Sequence, residues 1–273
     1  MFAKNLSLLC VVAIVAFGGV AQAALVTDDF TADRNYLTSG TGGTIWNGIH
    51  NQSAASTLNT TSTPDQLTIG VSTGAGGVGW NGTYFNAPFL YRNVTGDFDA
   101  RVKATGGTTN NWSIAALMVR LDPPSADGNA GEDFALISYN WFGNNIQVRT
   151  VDDNAQNDSF GTTAQPYLRL TRTGNVLRAY SSSDGSAWTP LSWGGQLGPV
   201  IGNDLTRSDL GGTVQLGLTH GSFQAANSSV QFDDFQATVP DPPAGDIPEP
   251  ATMALLGFGV AGVGGYIRRR RTA

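Results

Sequence analysis

The feature that most constrains this chain is a recurrence of short runs in which apolar and polar residues alternate, each closed by a turn. The runs cover 66–71, 97–104, 113–121, 133–141, 144–151, 167–173, 176–182, 213–219 and 229–239. In Phe98-Asp99-Ala100-Arg101-Val102 and Tyr167-Leu168-Arg169-Leu170-Thr171-Arg172, apolar side chains take every second place. A period of two gathers them on one face of a strand, the mark of a half-buried antiparallel sheet. Turn residues fall between runs, at Gly143-Asn144-Asn145, Thr173-Gly174-Asn175 and Ser183-Asp184-Gly185-Ser186. About ten strands in one domain predict an all-β fold, two antiparallel sheets packed as a sandwich or jelly roll. Composition agrees. Long exposed helices need Lys and Glu, and these occur only as Lys4, Lys103, Glu132 and Glu249, while Gly takes 35 of 273 positions. A parallel α/β layout would need helical crossovers that the sequence lacks. Asp28-Asp29-Phe30 and Phe232-Asp233-Asp234-Phe235 are expected on neighbouring strands, closing the sheet at the two ends of the body.

Both ends of the chain read as addresses. Residues 1–23 have the form of a secretory signal peptide, with Lys4 in the n-region, an apolar stretch and the small-x-small cleavage site Ala21-Gln22-Ala23. At the other end Pro248-Glu249-Pro250 precedes residues 251–267, which carry no charge, and then Arg268, Arg269, Arg270 and Arg271. As a helix those residues would span about 26 Å, just short of a ~30 Å hydrocarbon core. The arginines would stay cytoplasmic and leave the body outside, in agreement with the signal peptide. This tail, residues 248–273, resembles the PEP-CTERM sorting signal of Gram-negative bacteria. The resemblance implies transient tethering in the inner membrane, processing by an exosortase-type enzyme and release to the cell surface or an exopolysaccharide matrix. Residues 240–247 read as a Pro-rich spacer, which leaves 24–239 as the folded body.

Charge and cysteine content remove whole classes of function. The only cysteine, Cys10, lies in the segment expected to be cut away, so the exported chain has no disulfide framework, thiolate metal site or Cys nucleophile. Residues 24–247 hold ten basic against twenty acidic residues, a net charge of −10. Such a body repels nucleic acid and anionic membrane surfaces.

Within the body, Ala87-Pro88-Phe89-Leu90-Tyr91, Thr95-Gly96-Asp97-Phe98, Ala116-Leu117-Met118-Val119-Arg120, Tyr167-Leu168-Arg169-Leu170-Thr171-Arg172 and Ala179-Tyr180-Ser181-Ser182-Ser183-Asp184-Gly185-Ser186-Ala187-Trp188 occur in order. This succession is similar to the concanavalin-A-like lectin/glucanase superfamily, above all to sandwich modules appended to bacterial glycosidases such as beta-xylosidases. The fold hosts lectins, hydrolases and adhesive modules alike, so it does not fix an activity.

Retaining glycosidases need two carboxyls about 5 Å apart. In glucanases of the superfamily they come from a Glu-x-Asp-x-x-Glu strand. Here the body has a single Glu, Glu132, in a Gly- and Pro-rich loop, and Asp97 with Asp99 is the one alternative pair. The two histidines, His50 and His220, are not accompanied by a Gly-x-Ser-x-Gly elbow, and His220 reads as a surface turn. No catalytic residue is therefore assigned, and the chain is expected not to be an enzyme. Calcium takes carboxylate, amide and carbonyl oxygens at turns. Asp127, Asn129 and Asp133 offer them at odd spacings, and the superfamily resemblance implies a second site near the paired termini, at Asp28, Asp29, Asp233 and Asp234. Asp152, Asp153 and Asp158 read as solvating a loop. Sugar binding would use an aromatic platform flanked by amides. The candidates are Trp46, Trp80, Tyr84, Trp141 and Trp193 with Asn81 and Asn144, whereas Trp112 and Trp188 are expected in the core. The leading expectation is an exported surface or matrix protein that binds carbohydrate through shallow contacts. The rivals are a purely structural matrix protein and a glycoside hydrolase using the Asp pair.

Overall fold

Nine of the predicted runs become strands, with ends within a few residues of expectation. The structure is a computed structural model and describes residues 23–72, 77–106, 113–123, 128, 131–140, 145–161, 163–223 and 227–240. In chain order the strands are β1 (Ala23–Asp28), β2 (Gly48–His50), β3 (Ala55–Thr63), β4 (Gln66–Val71), β5 (Phe89–Thr95), β6 (Phe98–Thr105), β7 (Ser113–Leu121), β8 (Phe134–Asn140) and β9 (Asn145–Asp152). They continue as β10 (Ala155–Phe160), β11 (Tyr167–Thr173), β12 (Val176–Ser182), β13 (Thr189–Leu191), β14 (Trp193–Gly194), β15 (Val200–Gly202), β16 (Leu205–Thr206), β17 (Thr213–Ser222) and β18 (Ser228–Pro240). One α-helical turn, Tyr36–Ser39, starts at Asn35, whose side chain accepts the Leu37 N–H.

Sixteen of the strands form two antiparallel sheets, as the alternation predicts, and β14 pairs with β15 in a separate two-stranded ladder. Sheet A runs β13-β12-β11-β6-β18-β4-β3, with β1 beside the second half of β18 and β16 beside β12. Sheet B runs β10-β9-β8-β7-β17-β5-β2. Between them lies the main core, with Val102, Leu168, Leu170, Phe232 and Phe235 from A against Leu117, Val119, Ile137, Leu216 and Leu218 from B. Each such side chain contributes about 1.5–3 kcal/mol by leaving water.

The termini of the body pair as expected, Asp28 opposite Phe235. In β18 the register with β6 slips between Asp233 and Gln236, and Asp234 has φ +53°. This is a β-bulge, which advances the alternation by one residue. It explains why Phe232 and Phe235, three apart, both point into the core. Trp46 packs against Phe235 at a centroid distance of 4.8 Å and closes this end.

The two sheets treat their outer faces differently. In sheet A burial alternates along β6 and β11. In sheet B every residue of β7 is buried, and all of β17 beyond its first. The segment 77–88 covers that outer face, and Val78, Trp80 and Ala87 form a second apolar cluster with Phe89, Met118, Phe134 and Leu136. Val78 exchanges backbone hydrogen bonds of 2.8 and 2.7 Å with Ser222. Glycine makes this approach possible: a Cβ on Gly221 would stand 2.9 Å from the Gly79 Cα and the Val78 carbonyl oxygen.

His220 is not at a surface turn. It lies inside β17, fully buried, with Nδ1 2.8 Å from the Ile114 carbonyl and Nε2 2.6 Å from Ser228 Oγ. Burial pushes its pKa down to about 4. Among the described residues no helix is long and apolar enough to cross a membrane. Ala21, residues 241–247 of the spacer, Pro248, Glu249, Pro250, residues 251–267 and Arg268 to Arg271 lie outside the described residues, while Pro240, the spacer's first residue, ends β18 and pairs with Ala23.

Candidate functional site

Sheet B is covered along the middle of its outer face and open toward β9 and β10. The cover turns at Trp80 and Phe85, which form an antiparallel bridge. Asn81 shapes the turn: its Oδ1 accepts the N–H groups of Thr83 and Tyr84 at 2.7 and 2.6 Å. The Trp80 ring drops onto Phe89 and Phe134 in edge-on contacts. Its backbone carbonyl accepts a hydrogen bond from Arg149 Nη1 at 2.5 Å.

That arginine belongs to a buried polar group. Arg149 on β9 and Asp158 on β10 form a two-pronged ion pair, Nε to Oδ1 at 2.8 Å and Nη2 to Oδ2 at 2.9 Å. Gln147 and Gln156 also donate to Asp158 Oδ2, at 3.1 and 2.7 Å, and Gln156 Oε1 accepts the Gly82 N–H. A charge pair this deep needs these extra bonds to offset its lost hydration. The four side chains line a cavity of about 480 Å³, together with Asn81, Phe160, Leu197 and Phe223. Leu197 is exposed, and exposed Tyr84 meets Phe223 edge-on at 6.2 Å. Fixed amides and a carboxylate thus lie beneath an aromatic and aliphatic rim.

Two sequence candidates, Asn81 and Tyr84, come together here. Three others do not serve as platforms, because Trp46, Trp80 and Trp193 are each at most 3% exposed. Trp46 donates its indole N–H to Asp28 Oδ2 at 2.8 Å and fills the core. Trp141 and Asn144 lie outside the described residues, although the next residue, Asn145, lines the cavity. Trp188, expected in the core, is only half-buried. Asp158, expected to solvate a loop, is instead buried and lines the cavity. Gln147, Arg149 and Gln156 escaped notice. The signal available was the pair of polar residues, Gln147 and Arg149, two apart and alternating with Ile146 and Val148, which places both on the face away from the core.

The acidic candidates have other partners. Asp28 accepts the Phe30 N–H as well as the Trp46 indole, and burial raises its pKa. Asp29 accepts the Thr31 backbone and hydroxyl, which lower its pKa. Asp233 pairs with Lys103 at 3.5 Å, and Asp234 is exposed on the bulge. Among the described residues these four do not bring three oxygens within reach of one cation. Asp127 and Asn129 lie outside the described residues. Asp133 does converge, with Asp152 and Asp209, but the Arg207 guanidinium pairs with all three, at 3.0, 3.5 and 2.6 Å. The Asp97/Asp99 pair is also divided: Asp97 Oδ1 accepts the Gly174 N–H, and Asp99 pairs with Arg169.

A second polar group, missed in sequence, sits on sheet B near β2. Glu132 takes Arg120 in a two-pronged pair at 2.8 and 2.9 Å, while Gln215 Oε1 accepts from Arg120 and stands 2.8 Å from His50 Nε2. Burial, then the Arg120 charge, lowers the His50 pKa.

A comparison with curated proteins finds no match. Among solved structures, the chain is similar to a xylan beta-1,4-xylosidase from Bacillus halodurans C-125, at 14% identity and a TM-score of 0.51 over 78% of this chain and 38% of that one. It is similar to the GH43 BlXynB protein from Bacillus licheniformis at 14% identity and a TM-score of 0.52, over 78% and 39%. The chain thus spans about two fifths of these neighbours, and the similarity is one of fold, a jelly-roll sandwich. It overturns the expectation that the chain is not an enzyme. Glycoside hydrolases carry this sandwich, so a missing Glu-x-Asp-x-x-Glu strand removes one catalytic arrangement and does not exclude catalysis. Residues 246–271 match the PEP-CTERM protein-sorting motif, which marks an exported protein and implies an exosortase-type processing partner. Residues 61–240 match the family described as "Protein of unknown function (DUF1349)", and by that match over most of its length the chain belongs to this family.

Proposed function

We propose that this protein binds carbohydrate at the cell surface or in the exopolysaccharide matrix, in the cavity above Arg149 and Asp158. The sorting motif supports the location, after a passage through the inner membrane in which the tail serves as a temporary anchor. The observation that carries the binding is the pairing of a buried, mutually bonded Gln147–Arg149–Gln156–Asp158 group with an aromatic rim. Sugars present hydroxyls at their edges and apolar C–H faces, so they fit a site whose polar groups are fixed and whose lining includes Phe160 and Phe223, the latter backed by Tyr84. Because Asp158 holds both glutamine amides, their orientation is fixed in advance and a ligand need not order them.

The test is binding of the full chain to a panel of neutral and acidic polysaccharides, with and without a calcium chelator, and with reducing-sugar release assayed alongside. Saturable binding that weakens about tenfold in Tyr84→Ala and Phe223→Ala, equivalent to ~1.4 kcal/mol each, supports the site. Sugar release abolished by Asp158→Asn in a protein that still unfolds cooperatively would add turnover to binding. A folded chain that binds nothing overturns the proposal and leaves a structural matrix protein.

A further inference from the structure

The outer face of sheet A carries a second cavity, of about 320 Å³, lined by Asp99, Arg101, Arg169, Trp188, Gln236 and Thr238 with Leu25 at its edge. Its volume falls at the lower end of small-molecule sites, about 300–1,000 Å³. The arrangement of charge is unusual. Arg101 on β6 and Arg169 on β11 are direct cross-strand partners on the same face. Like charges placed opposite one another destabilise a sheet, so the pair is not there to hold the strands together. Asp99 satisfies only one of them: it holds Arg169 in a two-pronged pair at 2.8 and 2.5 Å. The Arg169 guanidinium also lies 5.2 Å from the Tyr180 ring and 5.5 Å from the half-exposed Trp188 ring. Arg101 is held by the neutral amide oxygen of Gln236, at 3.2 and 2.7 Å. Among the described arginines it alone is both exposed and outside ion-pair range of any carboxylate.

We infer that this cavity binds an anionic sugar residue, a pyranose bearing a carboxylate or a sulfate. Arg101, already aimed by Gln236, meets the anion with its planar fork, which suits both groups. The Trp188 ring beside it receives the apolar face of the pyranose, and Thr238 and Gln236 meet ring hydroxyls. An acidic peptide would satisfy the arginine but has no flat ring for the indole, which favours the sugar. The site lies on the opposite sheet from the cavity above Arg149 and Asp158, and it stands or falls without it.

The full chain is titrated with polygalacturonate oligomers, a sulfated galactan oligomer, neutral xylan oligomers and polyglutamate. Expected is saturable binding of the uronate or the sulfated oligomer, or of both, weakened by salt and at least tenfold stronger than for xylan or polyglutamate at this site. Arg101→Gln and Trp188→Ala, both on the surface, each reduce anionic-sugar binding at least tenfold, and Arg101→Gln also flattens its salt dependence. No binding of either anionic sugar overturns the proposal, as does equal binding of polyglutamate, or anionic-sugar affinity that survives Arg101→Gln.

Discussion

Sheet A and sheet B contain strands of similar length and the same antiparallel pairing, yet an Arg–Asp pair means different things on each. On sheet A, Arg169 and Asp99 are 28% and 42% exposed, and water shares the work of solvating them. On sheet B, Arg149 and Asp158 are 8% and 3% exposed, and Arg207, which reaches β9 from the loop after β16, is 4% exposed with its partner Asp133 at 0%. There the protein replaces water entirely, with amides, carbonyls and a hydroxyl: Arg207 also donates to Thr150 Oγ1 and the Val151 carbonyl, both at 2.7 Å. Covering a sheet face therefore turns ordinary surface residues into structural ones. It also fixes their orientation, so the buried group on sheet B is better ordered than the exposed pair on sheet A.

The comparison can be broken most directly at Arg207. Arg207→Met strands Asp133 and Asp209 without their cation, and denaturant unfolding is expected to show a loss of about 3–5 kcal/mol. A loss below 1 kcal/mol would mean that sheet B's charges are wetter than their burial indicates. Trp80→Ala removes the cover's central ring from Phe89 and Phe134 and is expected to cost a similar ~3–5 kcal/mol. Acid probes the interior between the sheets through His220, which lies on the core-facing side of β17 and meets Ser228 of β18. Its pKa in the fold, about 4, lies below the unfolded value near 6.5, so the unfolded chain takes up the proton first. Stability is full above pH 6.5, declines as pH falls toward 4 and levels off below, with a total loss of about 3 kcal/mol. His220→Gln should flatten that slope in a pH series of unfolding curves. The smallest effect belongs to sheet A: Arg169→Met should cost under about 1 kcal/mol, because solvent screens the exposed pair. A cost as large as that of Arg207→Met would erase the distinction between the faces.

The same contrast explains what could be read in the sequence. Strands β4, β7, β11 and β12 were legible to the residue, because turn chemistry bounds them and alternation or continuous apolarity fills them. Strand β10, Ala-Gln-Asn-Asp-Ser-Phe, was not, since its polar side chains bond to other polar side chains and leave no apolar period. The cover was missed for a related reason. Gly77 to Ala87 is rich in Gly and Asn and reads as loop, and nothing in its composition tells which surface it lies on. The tryptophans show the limit most plainly: turn residues near Trp46, Trp80 and Trp193 reveal the backbone's path and not the direction of the ring. The Asp233-Asp234 doublet suggested metal ligation, whereas the more telling signal was Phe232 and Phe235 three apart, which two-residue alternation cannot place on one face without a bulge.

Strand β18 carries a mechanical consequence. It has thirteen residues, lies within sheet A, and is flanked by β6 on one side and by β4, then β1, on the other. Hydrogen bonds of antiparallel ladders stand at right angles to their strands. A pull on the chain past Pro240 therefore runs along β18 and shears its ladders, loading many bonds at once instead of opening them one after another. A force applied through the C-terminal tail would thus be carried along the whole of β18.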